Sequence, residues 1–262
     1  MSDPLLLVED VSLNFGGTKA LEDVSFEVKA GEVLGMIGPN GAGKTSMLNC
    51  LNAVVRPQKG SITFEGQQLV GRQPHEIVRL GIGRTFQGPS LQPNATVAEN
   101  VLSGRDFMMK YGLFEAAAYW GRASREEARH RLAVEEILEF LHIQHIRDVP
   151  AASLPWGSQR LVDIGRALAA KPRLILLDEP TSGMTYEEKQ DVADCIVRMQ
   201  RDLGLSAILI EHDARFVADL CNRIVALDFG RVMAAGSPDK VLGDPRVAAA
   251  YLGTVEQDAS LA

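Results

Sequence analysis

The segment Gly38-Pro39-Asn40-Gly41-Ala42-Gly43-Lys44-Thr45 fits the pattern GxxxxGK[ST] and constrains this chain more than any other stretch. It follows Glu32-Val33-Leu34-Gly35-Met36-Ile37, a short apolar run suited to a buried strand, and it leads into Ser46 to Asn52, which reads as a helix. That strand-turn-helix context gives the pattern its meaning. Glycines let backbone N–H groups turn inward toward phosphate oxygens without Cβ clashes. The helix that follows aims its positive end at the same anions. Asn40, Gly41, Ala42, Gly43, Lys44, Thr45 and Ser46 are therefore expected to cradle a phosphate chain. Lys44 should reach its β and γ groups, and the Thr45 hydroxyl should ligate Mg²⁺.

A second segment supplies the complementary charge. Arg173-Leu174-Ile175-Leu176-Leu177-Asp178-Glu179-Pro180 places two carboxylates just past a hydrophobic strand. Asp178 is expected to hold Mg²⁺, directly or through water, opposite Thr45. Glu179, one residue farther out, is placed to orient or deprotonate an attacking water.

The rest of the chain fits one α/β architecture. Its 262 residues suffice for a single large domain or a core with a smaller lobe. Leu5 to Val8 and Val11 to Phe15 read as one strand pair, and Val24 to Val28 as part of another. Residues 61–70 read as a strand, a turn and a short strand. From about 88 to 160 the character turns helical, with Ile137, Leu138 and Leu141 forming an apolar stripe within Glu126 to His142. Leu174 to Leu177 and Ala207 to Ile210 are buried-strand candidates separated by a helix over Glu187 to Leu203. Ile224 to Asp228 and Arg231 to Ala235 read as a hairpin around Phe229-Gly230. Buried strands alternating with helices imply a partly parallel sheet with helical cover.

Composition removes several classes. No apolar run approaches the roughly 18 residues of a membrane-spanning helix. The start, Met1-Ser2-Asp3-Pro4, has no secretory character. With 27 Lys and Arg against 34 Asp and Glu, the net charge of −7 argues against nucleic acid as a partner. Cys50, Cys195 and Cys221 are far apart and read as reduced, buried thiols.

Three further features narrow the reading: Gln87 in Arg84-Thr85-Phe86-Gln87, His212 in Ile210-Glu211-His212-Asp213, and Phe15. Together with the phosphate loop and the acidic strand end, they make residues 5–253 resemble the nucleotide-binding subunit of an ATP-binding cassette (ABC) transporter. The resemblance implies an ABC ATPase fold, in which a P-loop core with a mixed or parallel sheet joins an N-terminal antiparallel β subdomain and a helical subdomain. It implies a single domain over 1–253, with the core at about 1–87 and 161–253, the helical subdomain at about 88–160, and a flexible tail at 254–262. By the same resemblance Phe15 stacks on adenine, and His212 is a switch histidine acting in catalysis with Glu179. Gln87 contacts metal and water and links the core to the helical lobe and the membrane partner.

Within that family, Ile210-Glu211-His212-Asp213, Cys221-Asn222-Arg223-Ile224-Val225 and Ala250-Tyr251-Leu252-Gly253 are similar to one ATPase of the branched-chain amino acid importers. That group extends to urea, amide and aromatic-acid importers. The implied cofactors are ATP and Mg²⁺. The implied partners are transmembrane permeases, a second ATPase subunit (a heterodimer favoured over a homodimer) and, indirectly, a solute-binding protein. The implied location is peripheral, at the cytoplasmic face of the inner membrane. A lipid or lipopolysaccharide exporter ATPase stays open as an alternative, as does a regulatory cassette with little turnover. A guanine-reading NKxD segment and a long coiled-coil insertion are both missing from the sequence.

The chain departs from the family pattern in two places. Where the family has LSGGQ, which holds the γ-phosphate of the facing subunit's nucleotide, this chain has Leu154-Pro155-Trp156-Gly157-Ser158. Pro155 lacks both a hydroxyl and a backbone N–H. Gly157, Ser158 and Gln159 remain as the residues that could serve the facing nucleotide. In the next loop, Ser182-Gly183-Met184-Thr185, threonine stands where an aspartate or asparagine is usual. Both departures fall on segments expected to serve the other subunit, so the dimer is expected to be asymmetric.

Overall fold

The computed structural model describes residues 3–85, 88, 90–108 and 122–250. The positions of Phe86, Gln87, Pro89, residues 109–121 and the tail from 251 lie outside the described residues. The role expected for Gln87, the Tyr251-Leu252-Gly253 ending and the flexible tail at 254–262 therefore fall outside them as well.

Two sheets organise the chain. The first is antiparallel, in the order β2 (Thr18–Val28), β1 (Leu6–Phe15), β4 (Lys59–Phe64), β5 (Gln67–Gln68). The second has the order β10 (Arg231–Gly236), β9 (Arg223–Asp228), β3 (Val33–Ile37), β8 (Ser206–Ile210), β7 (Leu174–Asp178), β6 (Ile82–Arg84). Its strands run parallel except for the β9–β10 hairpin. The expected mixture of an antiparallel β unit and a largely parallel sheet is therefore present.

The N-terminal strands correct one expectation. Leu5 to Val8 and Val11 to Phe15 are two ends of the same ten-residue strand, β1, and Val24 to Val28 belongs to its partner β2. The polar Glu9-Asp10 step resembles a turn in sequence. In the fold Asp10 takes a left-handed backbone (φ 49°) inside the strand, and the pairing register shifts between Val8 and Val11. Aspartate tolerates that region better than most residues, so the chain bulges and continues in the same direction.

The parallel sheet is covered on both faces, as the unbroken burial of β3, β7 and β8 requires. Alternate residues divide between two cores. Leu34, Met36, Leu174, Leu176, Ile208 and Ile210 pack with the antiparallel sheet and α1 (Lys44–Leu51). Val33, Ile37, Ile175, Leu177, Ala207 and Leu209 face the opposite core. That core contains α5 (Trp156–Ala169), α6 (Tyr186–Leu203) and α7 (Ala214–Leu220). Val97, Val101, Val134, Leu138, Leu141 and Leu154 join it from the 88–160 region, which holds α3 (Val97–Ser103) and α4 (Arg122–Phe140). Two smaller helices complete the elements used below, α2 (Pro74–Leu80) before β6 and α8 (Pro238–Leu242) after β10.

Candidate active site

Parallel strands carry their C-terminal ends to one edge of a sheet, where α/β proteins gather ligands. Here β3, β8 and β7 are neighbours, so the phosphate loop, His212 and the Asp178-Glu179 pair leave the sheet side by side.

The loop between β3 and α1 is held from behind. Gly230 of the β9–β10 turn donates its N–H to Ala42 O at 3.0 Å, while Glu22 N donates to Gly230 O at 2.8 Å. Gly43 has φ 105°, and a Cβ there would come within 2.6 Å of Ala20 O on β2. Only glycine fits that close left-handed approach. Lys44 is 94% buried by its 6% exposure and donates its Nζ to Gly38 O at 2.6 Å and Pro39 O at 3.0 Å. Burial pulls its ammonium below the ordinary lysine value, while the charges of Glu179 and Asp178 oppose that pull. Asn40, Gly41 and Thr45 are exposed and Ser46 is half-buried, so the start of α1 is accessible from solvent.

Asp178 ends β7 in a buried position. Its Oδ2 accepts from Arg84 Nη2 at 3.1 Å, and Arg84 Nη1 also donates to Asn49 Oδ1 on α1 at 2.7 Å. Burial raises the Asp178 carboxyl above its ordinary range, against the stabilising bond from Arg84. Its Oδ1 is buried and has no hydrogen-bond partner among the described residues. A buried carboxylate oxygen without a protein partner is the donor chemistry that a hard divalent cation takes. The residues present thus fit Mg²⁺.

Glu179 adopts a left-handed backbone (φ 48°), rare for a residue with a side chain, and its N–H donates to Ile210 O at 3.0 Å. The turn places Glu179 Oε1 2.7 Å from His212 Nε2. Strain of this kind is characteristic of sites held by their surroundings. A buried carboxylate holds the two turns together. Glu211 Oε1 accepts from Thr181 N at 2.8 Å and Thr181 Oγ1 at 2.7 Å, tying the turn after β7 to the residue before His212.

Phe15 stands at the end of β1, 52% exposed, on a hairpin whose β2 arm abuts the phosphate loop at Ala20. The segment with the altered signature starts α5. Pro155 is its N-cap residue, Gly157 N donates to Glu188 Oε1 at 3.1 Å, and Gln159 Nε2 donates back to Leu154 O at 3.0 Å. Ser158 lines a groove with Leu161, Asp191 and Cys195. Thr185 is the N-cap of α6, its hydroxyl accepting from Glu188 N.

The structure therefore brings Lys44, Asp178, Glu179 and His212 to one edge and places Gly157, Ser158 and Gln159 in the first turn of α5. Four contributors were not foreseen from sequence: Arg84, Asn49, Glu211 and Thr181. Glu211 was within reach of inspection as the acid preceding His212. Arg84 was not, since its partner lies 94 residues away.

Nearly the whole chain is similar to known proteins. Residues 21–182 match the ABC transporter family, and residues 231–257 match the branched-chain amino acid ATP-binding cassette transporter family. The high-affinity branched-chain amino acid transport ATP-binding protein BraF of Pseudomonas aeruginosa is 35% identical over 97% of this chain and 99% of its own length. The lipopolysaccharide export system ATP-binding protein LptB of Haemophilus influenzae is 32% identical over 95% of this chain and 97% of its own. Among solved structures, the ADP conformation of MJ1267, an ATP-binding cassette of an ABC transporter, superposes with a TM-score of 0.83. That cassette is 32% identical over 96% of this chain and 100% of its own length. The chain belongs to the ABC transporter family as one of its ATPase subunits, in the branched-chain amino acid group.

Proposed function

We propose that this chain binds and hydrolyses ATP to energise an importer of branched-chain or related amino acids, amides or urea. The observation that carries the hydrolytic part is the 2.7 Å contact between Glu179 and His212 beside the phosphate loop. The match over 231–257 supports the importer group over the lipopolysaccharide exporter.

In this reading Asn40 to Ser46 hold the phosphate chain of ATP through backbone N–H groups and Lys44. Phe15 stacks on the adenine. Thr45 and Asp178 hold Mg²⁺, with Gln87 expected to join them. When bound, the ion would neutralise negative charge on the phosphate chain. Glu179 orients the attacking water and takes its proton, and His212 fixes the Glu179 carboxylate through Nε2. Intact Glu179 and His212 argue against a regulatory cassette with little turnover.

Among the described residues no helix is long and apolar enough to cross a membrane, so passage of the solute falls to permease subunits. A second ATPase subunit faces this one, and the pair closes on ATP and reopens after hydrolysis. Coupling then follows from the different affinities of the open and closed states for nucleotide. The core at about 1–87 and 161–253 carries this chain's own ATP site. The lobe at about 88–160 passes closure to the permeases at the cytoplasmic face of the membrane. Cargo is selected by the permeases and a solute-binding protein.

The test is reconstitution of this chain with the permeases, second ATPase and solute-binding protein encoded beside it. Uptake of radiolabelled leucine, urea or acetamide should require ATP and disappear in Lys44→Ala. ATP turnover stimulated by lipopolysaccharide, with no uptake of any of these solutes, would overturn the importer reading.

A further inference from the structure

The two departures from the family pattern meet in space. Trp156, standing where a glycine is usual, donates its indole Nε1 to Ser182 O at 3.0 Å. Thr185, standing where an acid is usual, caps α6 and holds Glu188: Glu188 Oε2 accepts from Thr185 N at 2.9 Å and from Thr185 Oγ1 at 3.2 Å. The other oxygen of the same carboxylate, Oε1, accepts the N–H of Gly157 at 3.1 Å. One acidic side chain thus serves the N-termini of α6 and α5 together.

Its position at α5 is intimate. A Cβ on Gly157 would lie 2.6 Å from Glu188 Oε1 and 2.8 Å from both Cδ and Cγ, so the side chain lies directly over the glycine backbone. The start of a helix attracts one anion with a few unpaired N–H groups. Pro155 contributes none, and the Gly157 N–H is already given to a carboxylate.

We propose that Glu188 is an internal occupant of the signature's anion position, so that a nucleotide on the facing subunit must displace it before α5 can grip the γ-phosphate. This rests on the reading that α5 of this chain faces another subunit's ATP. It goes beyond a weakened signature, because it names a removable residue that holds the signature closed. A second negative charge approaching Gly157 meets repulsion as well as a missing donor. Glu188→Gln removes the charge and keeps one acceptor oxygen, enough for the Thr185 N–H or the Gly157 N–H but not for both. Glu188→Ala removes the occupant altogether.

A second copy of this chain is the probe for the facing subunit, because its phosphate loop is complete. The full-length protein carrying Glu179→Gln is mixed with Mg·ATP, and its self-association is followed by sedimentation velocity. Glu188→Gln on that background should tighten ATP-driven association roughly tenfold or more, and Glu188→Ala at least as much. Unchanged or weaker association in both variants, with their melting temperatures unchanged, overturns the proposal. So does a lack of ATP-driven association in every variant. Direct ATP binding by the parent chain is measured alongside. If that binding is also missing, the functional reading fails together with the proposal; if it is present, only the proposal has failed.

Discussion

Glu179 Oε1 and His212 Nε2 stand 2.7 Å apart at the C-terminal ends of the adjacent parallel strands β7 and β8. The register that pairs Asp178 with Ile210 brings the two residues together, and Glu211 clamps the turns on either side. A carboxylate placed in this way can take a proton from water while the histidine holds it in place.

Loss of either partner should therefore affect turnover more than binding. In the assembled transporter His212→Ala is expected to lower ATP turnover by about 10² or more, the usual scale for losing a group from acid–base machinery. ATP affinity, measured by calorimetry on the same preparation, should change little. A large loss of affinity with unchanged turnover would assign His212 to binding.

Arg84 and Asp178 form a buried ion pair, 6% and 2% exposed at their side chains. Breaking such a pair from one side leaves an uncompensated charge and costs about 3–5 kcal/mol. Arg84→Met should lower stability on that scale in urea titrations of the nucleotide-free protein. Adding Asp178→Asn should recover much of the loss. A double-variant loss equal to the sum of the two single losses would mean that the two residues act independently.

Phe229 is 83% exposed at the β9–β10 turn and has a left-handed backbone, φ 42°, where asparagine is at ease. Phe229→Asn should relieve about 1 kcal/mol. By calorimetry that corresponds to a melting temperature raised by roughly 2–4 °C for a chain of this size. A lower melting temperature would show that the ring makes contacts worth more than the strain.

Burial pushes the thiols of Cys50, Cys195 and Cys221 up to about 12. A raised folded-state value favours the neutral thiol. The stability it contributes is fully present below the ordinary thiol range and is lost as pH rises through about 12. At pH 8 a thiol reagent should leave the native chain unlabelled and modify these cysteines in guanidinium. Rapid native labelling of any of them would contradict their burial.

The placement of the candidate site residues was legible in sequence where they sit on short contiguous motifs at strand ends. Lys44 and Thr45, Asp178 and Glu179, and His212 each follow an apolar run that can only be a buried strand. β1 was misread because the Glu9-Asp10 step looks the same whether the chain turns or bulges. β6 and α2 went unforeseen, since a three-residue strand containing Gly83 carries no periodicity. The contacts of Trp156 with Ser182 and of Gly157 with Glu188 were invisible for another reason. They span 26 and 31 residues and depend on how α5 and α6 pack. Read singly, Trp156 and Thr185 are two losses; in the fold they belong to one contact surface.

An intact Glu179–His212 pair beside an altered signature predicts that this chain's own ATP is the one hydrolysed. Single-site turnover in the assembled transporter tests this most directly. Glu179→Gln in this chain should remove most ATP hydrolysis, by about 10² or more, whereas the matching substitution in the second ATPase subunit should spare most of it. The opposite pattern, with the second subunit's substitution the more damaging, would contradict the account.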